Sequence, residues 1–240
     1  MAKKEYWDKK WEKVDLRRQI ADADKHSIGR AIRLCMKKYL GKDIRLLEAG
    51  CGLGKWNFWL ASDERVKKSA GVDFSDSVRI AERYAKENSY DIDFRKADIR
   101  KLPFKDAEFN FVLCLGVLEH FEDPVAPLKE LRRVLQKDGV IFVNVLNKGV
   151  NRFRKEKIEE HEDLYSPEEF AAVMKRAGFE VLDAYSLDFA ASLFEWIKPK
   201  EDTMFRPWWS LSYAVKLLSS HLNPLFDRRY GLYSVVVAKK

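Results

Sequence analysis

The 240-residue sequence holds only three cysteines, Cys35, Cys51 and Cys114, with no C-x-x-C pair. That scarcity excludes a disulfide framework and predicts a reduced, cytoplasmic protein. No stretch of 18 uncharged apolar residues occurs, which excludes a spanning helix of that kind. The opening "MAKKEYWDKKWEK" lacks the apolar segment a signal peptide needs, so none is expected. Glutamine appears only twice, while charged residues reach 35%. That balance resembles the composition of heat-adapted proteins. No internal repeat or low-complexity tract is present. Hydrophobic residues make up 46% of the chain, enough for a large core, so disorder is excluded as the main state.

The net charge is +7, yet the 45 basic and 38 acidic residues are interleaved along the chain. Runs such as "RVKK" and "LKELRRVLQKD" alternate with apolar residues at helical spacing, as solvated helix faces do. A nucleic-acid footprint needs clustered positive charge, so nucleic acid is disfavoured as a partner.

From Ile44 onward, short apolar runs alternate with helical segments, the sequence form of a parallel sheet with crossover helices. Strands are expected at 44–49, 69–73, 92–96, 109–115 and 140–146, with helices at 54–62, 76–88 and 125–136. "SPEEF" opens a further helix, with Ser166 as N-cap, Pro167 at the first position and Glu169 closing a capping box. It ends at Gly178, and strand-like "FEVLDAYSL" and "YSVVVA" complete the pattern. The fold class is therefore α/β: a doubly wound, mostly parallel, seven-stranded sheet.

Two segments fall outside this alternation. Residues 1–43 read as a helical cap, with Ile28, Ile32, Cys35, Met36 and Tyr39 on one face. Residues 189–230 form an aromatic-rich insertion before the last strand, so the core spans 44–188 and 231–240. The insertion could pack on the sheet, cover a substrate, touch a membrane surface through its Trp/Lys/Arg mixture, or join an oligomer.

The central motif is "LLEAGCGLGKW", residues 46–56, which places Gly50, Gly52 and Gly54 at alternate positions after the first strand. A dinucleotide loop needs G-x-G-x-x-G, and this spacing is one residue short. A Walker loop needs Ser or Thr after Gly-Lys, and here Trp56 follows Lys55. Glu48 lies two residues before the first glycine, where its charge would repel a pyrophosphate and favour a cation.

The E-x-G-x-G-x-G pattern after a strand resembles the first motif of class I S-adenosylmethionine (SAM)-dependent methyltransferases. Their ligand carries an ammonium and a sulfonium. The rest of the family pattern follows in order. Asp73, in "GVDFSDS", matches the acidic residue that accepts hydrogen bonds from both ribose hydroxyls in that family. Asp98-Ile99, in "KADIRKLPF", resembles the segment that meets the adenine amino group and a ring nitrogen. "FNFVLCLGVLEHFEDP" resembles the fourth strand and its loop, and "YSPEEFAAVMKRAGFEVL" the last helix and strand. The resemblance covers residues 44 to about 188 and the final strand. It is nearest to the small-molecule methyltransferases that include quinone-biosynthesis enzymes.

The resemblance implies SAM as cofactor, held by Glu48, Gly50, Gly52, Gly54, Asp73, Phe74, Asp98, Ile99 and Leu115. Other readings of single residues stay open: Asp73 as a helix N-cap, with Ser75 competing for that duty, and Asp98 as a turn residue. The activity it implies is methyl transfer by in-line displacement to a small, apolar or aromatic acceptor at oxygen, carbon or nitrogen. An RNA or protein methyltransferase and a non-catalytic SAM-binding regulator are the alternatives. Candidate proton acceptors are His120, in "GVLEHF", and His161. Tyr165 is a further candidate for substrate contact, and Tyr6, Trp7 and Trp11 lie on a helix placed to close over the site. No metal is expected; Glu119, His120 and His161 have no diagnostic ligand spacing. One departure is informative: Leu115-Gly116-Val117-Leu118 stands where DNA and protein-amide N-methyltransferases carry Asn- or Asp-Pro-Pro-aromatic.

Overall fold

β1 (Ile44–Ala49) lies near the middle of the sheet, and its residues alternate between two buried faces. Ile44 and Leu46 point into one apolar layer, Leu47 and Ala49 into the other. Burial on both sides is what a parallel strand between two helical layers requires. The computed structural model describes residues 4–12, 14–149, 163–187 and 231–240, with only the backbone of Lys10 and Glu12.

The strands are β1, β2 (Val66–Asp73), β3 (Asp93–Lys96), β4 (Phe109–Leu115), β5 (Leu135–Leu146), β6 (Glu180–Leu187) and β7 (Tyr233–Lys239). Their order across the sheet is β3-β2-β1-β4-β5-β7-β6. Neighbours from β3 to β5 are parallel, while β7 runs antiparallel between β5 and β6. The winding reverses between β1 and β4, so the crevice at their carboxyl ends is the ligand position of an open α/β sheet.

The helices are α1 (Lys4–Glu12), α2 (Leu16–Ala21), α3 (Ser27–Tyr39), α4 (Lys55–Leu60), α5 (Ser77–Glu87), α6 (Val125–Val134) and α7 (Pro167–Arg176). Leu128 and Leu131 of α6 and Phe170 and Met174 of α7 cover one face of the sheet. The other face meets Ile32, Cys35 and Met36 of α3 and Trp56, Trp59 and Leu60 of α4. Much of the N-terminal helical segment is thus part of the sheet's core layer. Phe58, Val78, Ala81 and Phe94 join α4, α5 and β3 in a third cluster.

The capping box of α7 forms as expected: Glu169 N–H donates to Ser166 Oγ at 3.2 Å, and Ser166 N–H to Glu169 Oε2 at 2.8 Å. Two strand starts differ from the sequence expectation by three residues or more. β2 starts at Val66 rather than Ser69, because Lys67 and Lys68 extend beyond the covered part of the sheet and carry no apolar signal. β5 starts at Leu135, inside the segment read as helix, and passes Asp138 at φ 60°. Residues 189–230, His161 and His221 lie outside the described residues.

Candidate SAM site

The turn after β1 is held by backbone geometry. Gly50 and Cys51 N–H groups both donate to the Val72 carbonyl, at 2.8 and 2.9 Å, tying the loop to the end of β2. Gly50 and Gly52 have φ of 75° and 53°, a left-handed conformation that costs a side-chain-bearing residue roughly 1–2 kcal/mol. Space is also required: a Cβ at Gly50 would lie 2.3 Å from Val117, and one at Gly52 2.5 Å from the Trp11 ring.

A cavity of about 370 Å³ opens beside this loop at the β1/β4 reversal. Among the expected site residues, Glu48, Gly50, Asp73, Phe74, Asp98, Ile99, Leu115 and His120 line it. Gly52 and Gly54 do not. They shape the turn from behind, with Gly52 under Trp11 and Gly54 against Phe94. Trp7 and Trp11 of α1 are cavity walls, whereas Tyr6 is exposed. His161 is not among the described residues. Sequence reasoning missed Gln19, Lys55, Trp56, Phe121 and Tyr233 as lining residues. Lys55, Trp56 and Phe121 lie inside the quoted motifs and Tyr233 opens the last strand, whereas Gln19 carried no sequence signal.

Asp73 is buried at the end of β2. Its Oδ2 accepts from Gly52 N–H at 2.8 Å, and its Oδ1 accepts from the Ser75 N–H and hydroxyl at 2.9 and 2.6 Å. It is not the N-cap of α5; that position is Asp76, which makes no side-chain cap bond. A carboxylate has about four lone-pair sites, so Asp73 can brace the loop and still accept from a ligand. Asp98 faces the cavity while Arg100 forks onto both of its oxygens and holds its carboxyl below the usual range.

Glu48 is buried near the end of β1. Its Oε2 accepts from Asn57 N–H at 2.9 Å, but burial dominates and pushes the carboxyl up to about 8. Near pH 7 burial therefore favours the protonated form in the free protein. A nearby cation would release that proton, because opposite charge favours the ionised form. Burial also pushes the Cys51 and Cys114 thiols up, so neither is a thiolate.

His120 ends a short 3₁₀ turn, Leu118–His120, after β4. Its ring meets Trp7 edge-on, with centroids 5.3 Å apart. Among the described residues, no group of three His, Cys, Asp or Glu side chains is placed to hold a metal ion.

The cavity suits SAM on its own terms. The glycine turn leaves no room for side chains where the backbone meets the cavity wall, and acceptors for hydroxyl and amino hydrogens stand at the ends of β1, β2 and β3. Comparison with known proteins agrees. A methyltransferase-domain family matches residues 47–143. Residues 47–143 are a class I SAM-dependent methyltransferase domain. The chain is 35% identical over 108 residues to a ubiquinone biosynthesis O-methyltransferase of Idiomarina loihiensis, covering 44% of each protein. It thus spans less than half the length of that relative. A ubiquinone/menaquinone biosynthesis C-methyltransferase of Campylobacter jejuni is 26% identical over 198 residues, 68% of this chain and 82% of that protein. The fold is shared with a SAM-dependent methyltransferase of Mesorhizobium loti, with a TM-score of 0.62 and 15% identity over 91% of this chain and all of the other.

The methyltransferase domain at residues 47–143 takes SAM as its cofactor. No helix among the described residues is long and apolar enough to cross a membrane.

Proposed function

We propose that the protein methylates a small aromatic acceptor of the phenol or quinol class. The observation that carries this reading is the cavity wall made by α1, the turn after β4 and the start of β7. It presents Trp7, Trp11, Val117, Phe121 and Tyr233 together with His120, whose imidazole is the only one among the described lining residues. Flat apolar walls suit an aromatic ring, and the relatives named for ubiquinone biosynthesis support that chemistry. Bound SAM supplies an electrophilic methyl group on sulfur.

The chain's own contribution is placement and proton handling. Asp73 and Asp98 would hold the nucleoside through ribose and adenine hydrogens, and Glu48, once ionised, would face the positive end. The tryptophans exclude water and align the acceptor, which can supply much of the rate. An acceptor hydroxyl or ring carbon must lose a proton, and a His120 ring nitrogen is the group that would take it.

The test is an acceptor screen with methyl-labelled SAM across catechols, hydroquinones, aliphatic alcohols and tRNA. Transfer to the aromatic hydroxyl compounds is expected. Labelling of tRNA alone would overturn the reading. With a productive acceptor, His120→Ala is expected to slow turnover by about 10²-fold or more, with SAM affinity nearly unchanged.

A further inference from the structure

The cavity has a charge pattern that the ribose and adenine contacts do not use. Glu48, Asp73 and Asp98 supply three carboxyl groups, and one lysine, Lys55, stands among them. The carboxyls have partners already: Asn57 N–H for Glu48, Gly52 and Ser75 for Asp73, and Arg100 for Asp98. Lys55 does not. Among the described residues its ammonium makes no hydrogen bond and no ion pair; it rests over the Trp56 ring, 4.3 Å from the centroid. Glu48 and Asp22 act on it only through space, and burial is the larger influence, lowering its pKa.

An ammonium has three donors and no acceptor. In a partly buried site open to a cavity, those donors can serve a ligand carboxylate in place of water. The ligand's own charges indicate which group that is. SAM carries two cationic centres and one anion, the carboxylate of its methionyl end. Glu48 is the last residue but one of β1 and Lys55 begins α4, so the glycine turn is flanked by one acid and one base. Asp73 ends β2, and Asp98 sits just beyond the end of β3. Once a bound cation ionises Glu48, the opposite-signed pair matches a zwitterion, and the two carboxylates match a nucleoside.

We propose that the Lys55 ammonium binds the methionyl carboxylate of SAM and makes the protein prefer SAM over its decarboxylated analogue. This rests on the placement of the cofactor in this cavity. The rival role for Lys55 is to moderate Glu48. The two roles separate cleanly, because a moderator would affect every cationic ligand in the same sense.

Isothermal titration of the full chain with SAM and with decarboxylated SAM tests the proposal in wild type, Lys55→Met and Lys55→Arg. Methionine keeps the stem that lies on Trp56 and removes the charge. Wild type is expected to bind SAM about tenfold or more tighter than the analogue. Lys55→Met should weaken SAM by about 10- to 100-fold, the range of a charge-assisted hydrogen bond. The analogue should bind the same variant at least as tightly as wild type, which also shows that the site is folded. Lys55→Arg should keep most of the preference. Unchanged SAM affinity in Lys55→Met, or equal changes for both ligands, overturns the assignment. If wild type binds neither ligand, the cofactor placement fails and takes the Lys55 role with it.

Discussion

The two walls of the cavity are held by different forces. On the sheet side, the glycine turn is fixed by buried bonds: Gly50 and Cys51 to Val72, Gly52 to Asp73, and Asn57 to Glu48. On the α1 side, the attachment is largely at the surface. Lys4 pairs with Asp76 and Asp8, the Asp76 N–H donates to Asp8 at 2.9 Å, and Trp7 and Trp11 lean on His120 and Gly52. Buried bonds leave costly orphans when broken, whereas exposed ion pairs exchange readily with water. The sheet wall is therefore pre-organised for one ligand, and the α1 wall can be displaced at small cost. Such a division suits a domain that keeps one cofactor while acceptor contacts vary.

The sharpest way to break that comparison is Asp73→Ala. The change removes an acceptor for the ligand and leaves the buried Gly52 N–H unpaired. SAM affinity is expected to fall by about 10- to 100-fold in isothermal titration. An Asp73→Ala protein that binds SAM normally would show that the sheet wall is not the recognition wall.

Glu48 sharpens the same contrast through pH. Its carboxyl is raised from 4.5 to about 8 by burial, so the folded protein binds a proton there that the unfolded chain does not. The stabilising contribution is complete below about pH 4.5 and is lost as pH rises through about 8. Glu48→Gln should flatten this part of the melting-temperature profile. Ligand binding has the opposite sign, since the cationic cofactor favours the ionised carboxyl. SAM affinity should rise with pH by at most about tenfold per unit and level off above about 8, with proton release on binding. Calorimetry in buffers of different ionisation enthalpy measures that proton directly. An affinity independent of pH between 6 and 8 would show that Glu48 is ionised from the start, or far from the positive charge.

The sheet wall was also the more legible one in the sequence. β1, β4 and β7 are mostly apolar runs, because both faces are buried, and the alternate glycines mark a turn that no other residue fits. Glu48 was visible as an acid, but its protonation was not; that depends on how completely α4 closes over it. Lys55 was read only as the end of a failed Walker loop, since no local pattern tells a solvated lysine from one turned into a cavity. The α1 wall was half legible: Trp7 and Trp11 drew notice as aromatics, while their contacts with His120 and Gly52 join residues more than 40 positions apart. Boundaries failed where polar residues carried the strand, at Lys67 and Lys68 in β2 and at Gln136 to Asp138 in β5.

The smallest expected effect concerns the α1 wall itself. Lys4→Ala removes its ion pairs to Asp76 and Asp8 and leaves both tryptophans in place. Lys96 still pairs with Asp76, so no buried charge is orphaned. Exposed pairs contribute little, so SAM affinity should change by no more than about fivefold at low salt, and the difference should vanish near 1 M salt. Titration at the two salt concentrations checks this. A loss comparable to that of Asp73→Ala would mean that α1 is as firmly built as the sheet. The cavity would then have one rigid wall all round, and acceptor choice would have to arise from something other than a displaceable helix.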